Sequence, residues 1–183
     1  MKTYHGQFVG RLVADLGDDG RTLTLKEPFG YVDPTGVEWR VAAGTTVAGD
    51  SIPGFIRPLM DGPDEARYRK ALVIHDAACL DKDRGWERAH EAFFHALRAA
   101  KVGGTHARLL YAAAYHFGPR WPSPVTREAP EGVEWSPVAP PQVWMTEADF
   151  EKLAARIETR AKTENPMSLE EIRAFRPAGA DLG

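Results

Sequence analysis

Seven prolines fall between Gly118 and Pro141. Proline fixes φ and has no N–H to donate, so neither a helix nor a central strand can run through this stretch. Regular structure must come from the residues on either side. The same stretch carries Trp121 and Trp135, with Trp144 just beyond, and indole side chains seek burial. An extended arm that wraps its own domain, or docks on a partner, accommodates both properties. The chain accordingly divides into an α+β domain over residues 1–118, a Pro/Trp-rich arm over 119–145 and a C-terminal helical segment over 146–183.

Before the arm, the first sixty residues read as antiparallel β-structure. Tyr4 to Val13 alternates around Phe8 and Leu12, and Arg21 to Lys26 alternates through Leu23 and Leu25. The turn signal Gly17-Asp-Asp-Gly20 between them predicts a hairpin. Tyr31 and Val37 to Val41 are further strands, joined through Asp33-Pro-Thr-Gly36. Three helices follow. Pro63 and Asp64 open the first, on which Tyr68, Leu72, His75 and Cys79 share one side. Trp86 to Ala100 forms the second, and Val102-Gly-Gly-Thr105 ends it and supplies Thr105 as N-cap of the third. The predicted architecture is an antiparallel sheet packed with a three-helix bundle. Beyond the arm, Thr146 with Asp149 and Ser168 with Glu171 are capping boxes that start two C-terminal helices.

With 43% hydrophobic residues the chain can build a real core. A net charge of −3 argues against nucleic-acid binding through a basic surface. No apolar run is long enough to span a bilayer, and the N-terminus lacks the apolar stretch of a signal peptide. The single cysteine, Cys79, excludes an intrachain disulfide and reads as a small core residue.

The chemistry concentrates on His75-Asp76, set in an otherwise apolar helix, and on His90 and Glu91 of the next helix. Neighbours on a helix point about 100° apart, so His75 and Asp76 are not expected to address one atom. If the two helices run antiparallel, His90 and Glu91 come to meet them. His75, Asp76 and His90 then make a candidate set for a divalent metal ion. Alternatively, His75 is a base on water with Asp76 on calcium; or the pair is structural. Asp81-Lys-Asp-Arg-Gly-Trp-Glu87 has alternating acids but no acid at the twelfth place of a calcium loop, and reads as a solvated turn. Gly44 to Gly54 is a glycine-rich loop that can bring backbone N–H groups near a ligand. Ser51 within it has no Gly-x-Ser-x-Gly elbow and reads as a turn or cap residue.

Three segments together resemble a phage and bacterial family catalogued as domain of unknown function 1353. They are Gly44-Thr-Thr-Val-Ala-Gly-Asp-Ser-Ile-Pro53, Tyr68 to Asp76, and Ala89-His-Glu-Ala-Phe93 with Ala96-Leu97. The family pattern is a Gly-x-x-Thr-Asp-Gly-Ala-Ser-Ile-Pro loop, a helical His-Asp and an Ala-Asp-x-x-Phe helix. The resemblance covers about residues 5–120, and Gly49, Ser51, Ile52, Pro53, His75, Asp76, Ala89 and Phe93 match. Ala48 stands where the pattern has the loop aspartate, with Asp50 two places on, and His90 stands where it has the helix aspartate. The resemblance implies a phage or prophage origin, and it implies that any chemistry resting on those two aspartates is altered or lost.

Two functions compete. One is a virion-associated tail or capsid protein, made in the host cytoplasm, whose Trp121, Trp135 and Trp144 dock on other phage structural proteins. The other is a small hydrolase, metal-dependent or not, with His75, Asp76 and His90 at its centre and the loop Gly49, Asp50 and Ser51 beside it.

Overall fold

A computed structural model describes residues 3–62, 65–122 and 145–177. Pro63, Asp64 and the segment 123–144, with Trp135 and Trp144, lie outside the described residues. The architecture is α+β. Six short strands precede the helices: β1 (Gln7–Val9), β2 (Ala14–Leu16), β3 (Leu23–Leu25), β4 (Phe29–Val32), β5 (Glu38–Val41) and β6 (Thr46–Val47). They form two antiparallel three-stranded sheets, ordered β1-β4-β5 and β2-β3-β6, rather than one. The expected long strand from Tyr4 to Val13 is broken at Gly10, whose φ of +80° turns the chain from one sheet into the other. The predicted hairpin exists, but its first arm is Ala14–Leu16, paired Leu16 to Leu23 across the turn.

Alternation decides which face of the first sheet is buried. Phe29 and Tyr31 of β4 lie opposite Val41 and Trp39 of β5, and all four are in the core. The β4–β5 turn is held by Asp33. Its Oδ1 accepts from the Thr35 and Val37 amides at 2.8 and 3.0 Å, and its Oδ2 accepts from Trp39 Nε1 at 3.2 Å. A buried carboxylate with this many donors is satisfied.

After β6 a 3₁₀ helix (Gly54–Met60), absent from the sequence reading, leads to α1 (Glu65–Asp81), α2 (Trp86–Ala99) and α3 (Gly104–Phe117). The exposed turn through Lys82 and Asp83 sends α2 back along α1. α1 is wedged between β5 and α2, which explains why its buried residues run unbroken from Val73 to Cys79. Thr105 does not cap α3. Gly103 is the N-cap, and the helix begins two residues earlier than expected, because the end of α2 is already closed by a Schellman motif. In that motif Lys101 N–H donates to Arg98 O at 3.1 Å and Val102 N–H to Leu97 O at 3.0 Å. Val102 is buried, so the chain is anchored there and enters α3 at once.

Thr146 and Ser168 do form capping boxes, for α4 (Glu147–Ala161) and α5 (Leu169–Ala174). Both helices pack on α3. Phe55 of the 3₁₀ helix, Phe117 and Phe150 of α4 make a mutual edge-to-face cluster with centroids 5.1–5.9 Å apart. Leu153, Ile157 and Ile172 are fully buried in the same core as the sheets. Among the described residues no helix is long and apolar enough to cross a membrane.

Candidate functional site

The loop after β6 crosses the middle of α1. Gly49 sits there at φ +70°, and a Cβ on it would also stand 3.2 Å from the Leu72 side chain, so both conformation and space call for glycine. Its N–H donates to Asp76 Oδ2 at 2.5 Å, and its carbonyl accepts from Arg57. Asp50 points outward to Arg21 and Arg57, at 3.3 and 3.4 Å, and takes no part in the interior. The next residue points inward. Ser51 is buried, and its Oγ lies 2.8 Å from His75 Nδ1 while also hydrogen-bonding Asp76 Oδ1. His75 and Asp76 do diverge along the helix, yet one loop hydroxyl placed between them reaches both. The expectation that they cannot meet at one atom is corrected here; Ser51 lies in a turn as expected, and its hydroxyl bridges the two.

On its other side His75 Nε2 is 2.7 Å from His90 Nδ1 of α2, and His90 Nε2 is 3.1 Å from the carbonyl of Pro119. His75 stacks on Phe93 at 4.5 Å, and His90 is flanked edge-on by Trp86 and Trp121 at 5.5 and 6.4 Å. Glu91 does not join. It pairs with Arg173 of α5 at 3.7 Å. Trp121, expected to dock on a partner, is 4% exposed and donates Nε1–H to Arg84 O at 2.6 Å. Its indole is committed to its own domain because residues 119–121 close over α2.

The partners fix where the protons sit. A carbonyl only accepts, so His90 carries hydrogen on Nε2 and donates to Pro119. Neutral His90 then offers Nδ1 as acceptor to His75 Nε2–H. That leaves His75 Nδ1 as an acceptor for the Ser51 hydroxyl. Ser51 has one hydrogen: it goes to Asp76 Oδ1 when Asp76 is a carboxylate, and is free for His75 Nδ1 when Asp76 is protonated and donates to Ser51 in turn. The reversed polarity would need a His90 imidazolium and an Asp76 carboxylate, and burial opposes both. Desolvation pulls His75 well below the ordinary histidine value and His90 down to about 3. It pushes Asp76 up, against the opposing pull of the Ser51 hydroxyl and of the Gly49 and Ser51 amides. Burial thus favours the neutral form of the chain Asp76–Ser51–His75–His90–Pro119, in which Ser51 donates to His75.

A cleft of about 280 Å³, with Val47, Ala48, Ser51, Asp76, Cys79 and Pro119 in its wall, opens beside Ser51 and runs to Pro119. Larger clefts of about 490 and 560 Å³ beside β5 are lined by neither serine nor histidine. The metal set differs from expectation as well. Among the described residues the convergent ligand atoms belong to His75, Cys79 and His90, all within 4.8 Å of one another. Asp76 lies on the Nδ1 side of His75 and is engaged with the loop. Cys79 Sγ is 3.8 Å from His75 Nε2, and burial raises its thiol to about 12, which makes it inert as a nucleophile at neutral pH.

Residues 23–114 match the family described as "Protein of unknown function (DUF1353)", half of the chain, and the chain belongs to that family. The match contains Ser51, His75, Asp76, Cys79 and His90, whereas Pro119 and Trp121 fall outside it. Two uncharacterised proteins of Sinorhizobium fredii are similar. One, y4iH, is 38% identical over 109 residues, covering 60% of this chain and 46% of the relative. The other, y4jT, is 37% identical over 116 residues, covering 63% of this chain and 33% of the relative. The chain thus spans less than half the length of either relative. No solved structure matches it.

Proposed function

We propose that this DUF1353 member is a serine hydrolase acting on a small ester or amide, with Ser51 as nucleophile, His75 as general base and His90 as the residue that orients the base. The observation that carries the reading is the pair of contacts on His75. Ser51 Oγ is 2.8 Å from Nδ1, and His90 Nδ1 is 2.7 Å from Nε2. A nucleophile on one ring nitrogen and an orienting acceptor on the other is the arrangement by which a hydroxyl is activated for acyl transfer.

In the reaction, Ser51 Oγ bonds to the substrate carbonyl carbon as its proton passes to His75 Nδ1. The resulting imidazolium keeps its Nε2–H on His90. As the Ser51 oxygen takes up the new bond, Asp76 O–H is released from it and turns to the developing oxyanion, a use of a carboxylic acid kept neutral by burial. His75 returns the proton to the departing alkoxide or amine, leaving acyl-Ser51. Water then attacks with His75 again as base, releasing the acid and regenerating the hydroxyl. The cleft admits a short acyl group, and the aromatic walls around His75 and His90 exclude water from the relay.

The virion-docking alternative draws on the Pro/Trp-rich segment. Most of that segment lies outside the described residues, and its first tryptophan is buried in its own domain.

The test is covalent capture. A fluorophosphonate should add one equivalent, located by mass spectrometry on the peptide holding Ser51, and p-nitrophenyl acetate should be turned over. Ser51→Ala should lose labelling and reduce turnover by a thousandfold or so. Labelling of a different residue, or turnover undiminished in Ser51→Ala, rules the reading out.

A further inference from the structure

We propose that His75, Cys79 and His90 bind a thiophilic divalent cation, of which zinc is the type, entered from the same cleft. Binding stands on the three side chains alone; only its effect on hydrolysis rests on the reading of Ser51 as nucleophile.

His75 and Cys79 lie one turn apart on the same face of α1, and His90 meets them from α2. Tetrahedral zinc with bonds of about 2.0–2.1 Å to nitrogen and 2.3 Å to sulfur separates two imidazole nitrogens by about 3.3 Å, and nitrogen from sulfur by about 3.6 Å. Cys79 Sγ and His75 Nε2 are already 3.8 Å apart. The two histidine nitrogens, at 2.7 Å, share a hydrogen. Replacing that hydrogen with a metal requires them to part by roughly 0.6 Å. Small ring rotations supply such a displacement.

The surroundings fit a metal-bound state too. His90 already gives its other N–H to a backbone carbonyl, the usual support for a ligating imidazole. His75 can turn its remaining N–H on Ser51, which then donates to Asp76 and puts a carboxylate behind the ligand. Thiolate Cys79 and carboxylate Asp76 would together balance the two positive charges, so the buried cluster stays without net charge. One sulfur and two imidazoles select zinc, cobalt or cadmium over magnesium and calcium, which need oxygen. Cys79 lines the cleft, which leaves a coordination position for water.

The consequence is an off state. With the metal on Nε2, the hydrogen of His75 sits on Nδ1 and Ser51 becomes an acceptor from it, so the base is lost. A thiophilic cation should therefore arrest the hydrolase.

The experiment is titration of the metal-stripped full chain with cobalt(II) chloride. One equivalent should give the visible bands of tetrahedral cobalt together with a thiolate charge-transfer band, and both should vanish on adding zinc but persist in excess magnesium. Cys79→Ala should weaken binding by about a hundredfold or more, and by more than Ser51→Ala, which removes only the support behind His75. Circular dichroism confirms that each variant is folded. Folded protein without the cobalt bands, or Cys79→Ala binding as tightly as the parent, overturns the proposal. Turnover of p-nitrophenyl acetate read alongside separates the two readings. A protein that binds cobalt through Cys79 but never hydrolyses ester keeps the metal site and loses the nucleophile.

Discussion

At position 90 an imidazole faces His75 where a Ser-His-Asp triad has a carboxylate. A neutral ring can hold His75 in its tautomer, but it stabilises the imidazolium formed during acyl transfer less than a carboxylate does. His90→Asp is therefore expected to raise turnover of an activated ester by roughly tenfold, the sign expected of an opposite charge beside the cation. A fall in a folded variant would show that His90 does more than orient. His116 gives a separate residue-scale prediction. It is buried with Nε2–H on Ile172 O at 2.9 Å, and desolvation lowers it from 6.5 to about 4. A histidine with a depressed folded value binds protons more readily when unfolded. Its contribution is full above pH 6.5 and is lost as the pH falls towards 4, about 3 kcal/mol in all at 1.36 kcal/mol per unit. Denaturant midpoints at pH 7 and pH 4 should therefore differ less in His116→Asn than in the parent; equal differences would contradict this. The His-Asp pair and its proximity to His90 were legible in the sequence, because apolar helices joined by a short polar turn must fold back on each other. Ser51 was not. Its role depends on a loop crossing α1 at the level of residues 75 and 76, and helical periodicity carries no information about what crosses a helix.

Among the elements, helix starts with side-chain caps were legible, since Thr146 with Asp149 and Ser168 with Glu171 act locally. The α2–α3 junction was not, because glycines at 103 and 104 suggested an ending that the chain makes earlier. Lys101 holds the left-handed position at φ +69°, where an L side chain costs about 1–2 kcal/mol relative to glycine. Lys101→Gly should therefore stabilise the protein by roughly 1 kcal/mol, visible as a higher denaturant midpoint with unchanged slope. A lower midpoint would mean that the exposed lysine contributes more than its backbone strain costs. The strands show the same limit. Alternation located β1, β3 and β5, but it missed β2 and the short β6 inside the stretch read as a loop, and only the positive φ of Gly10 reveals the division into two sheets.

At the scale of the molecule, sheets, helices and C-terminal segment share one core, and residues 119–121 close over the His90 end of the hydrogen-bonded chain. Leu153→Ala, far from Ser51 in sequence but fully buried, should cost about 2–5 kcal/mol and lower activity only through unfolding, in step with the folded fraction. A loss of turnover in fully folded Leu153→Ala would contradict that division of labour. The central claim is that Ser51 donates to His75 in a neutral relay. The most direct test is ¹⁵N–¹H NMR of the histidine side chains at pH 7. Both His75 and His90 should be neutral, protonated on Nε2 and bare at Nδ1. An Nδ1-protonated His75, or an imidazolium at His90, would reverse the relay and remove the base from Ser51.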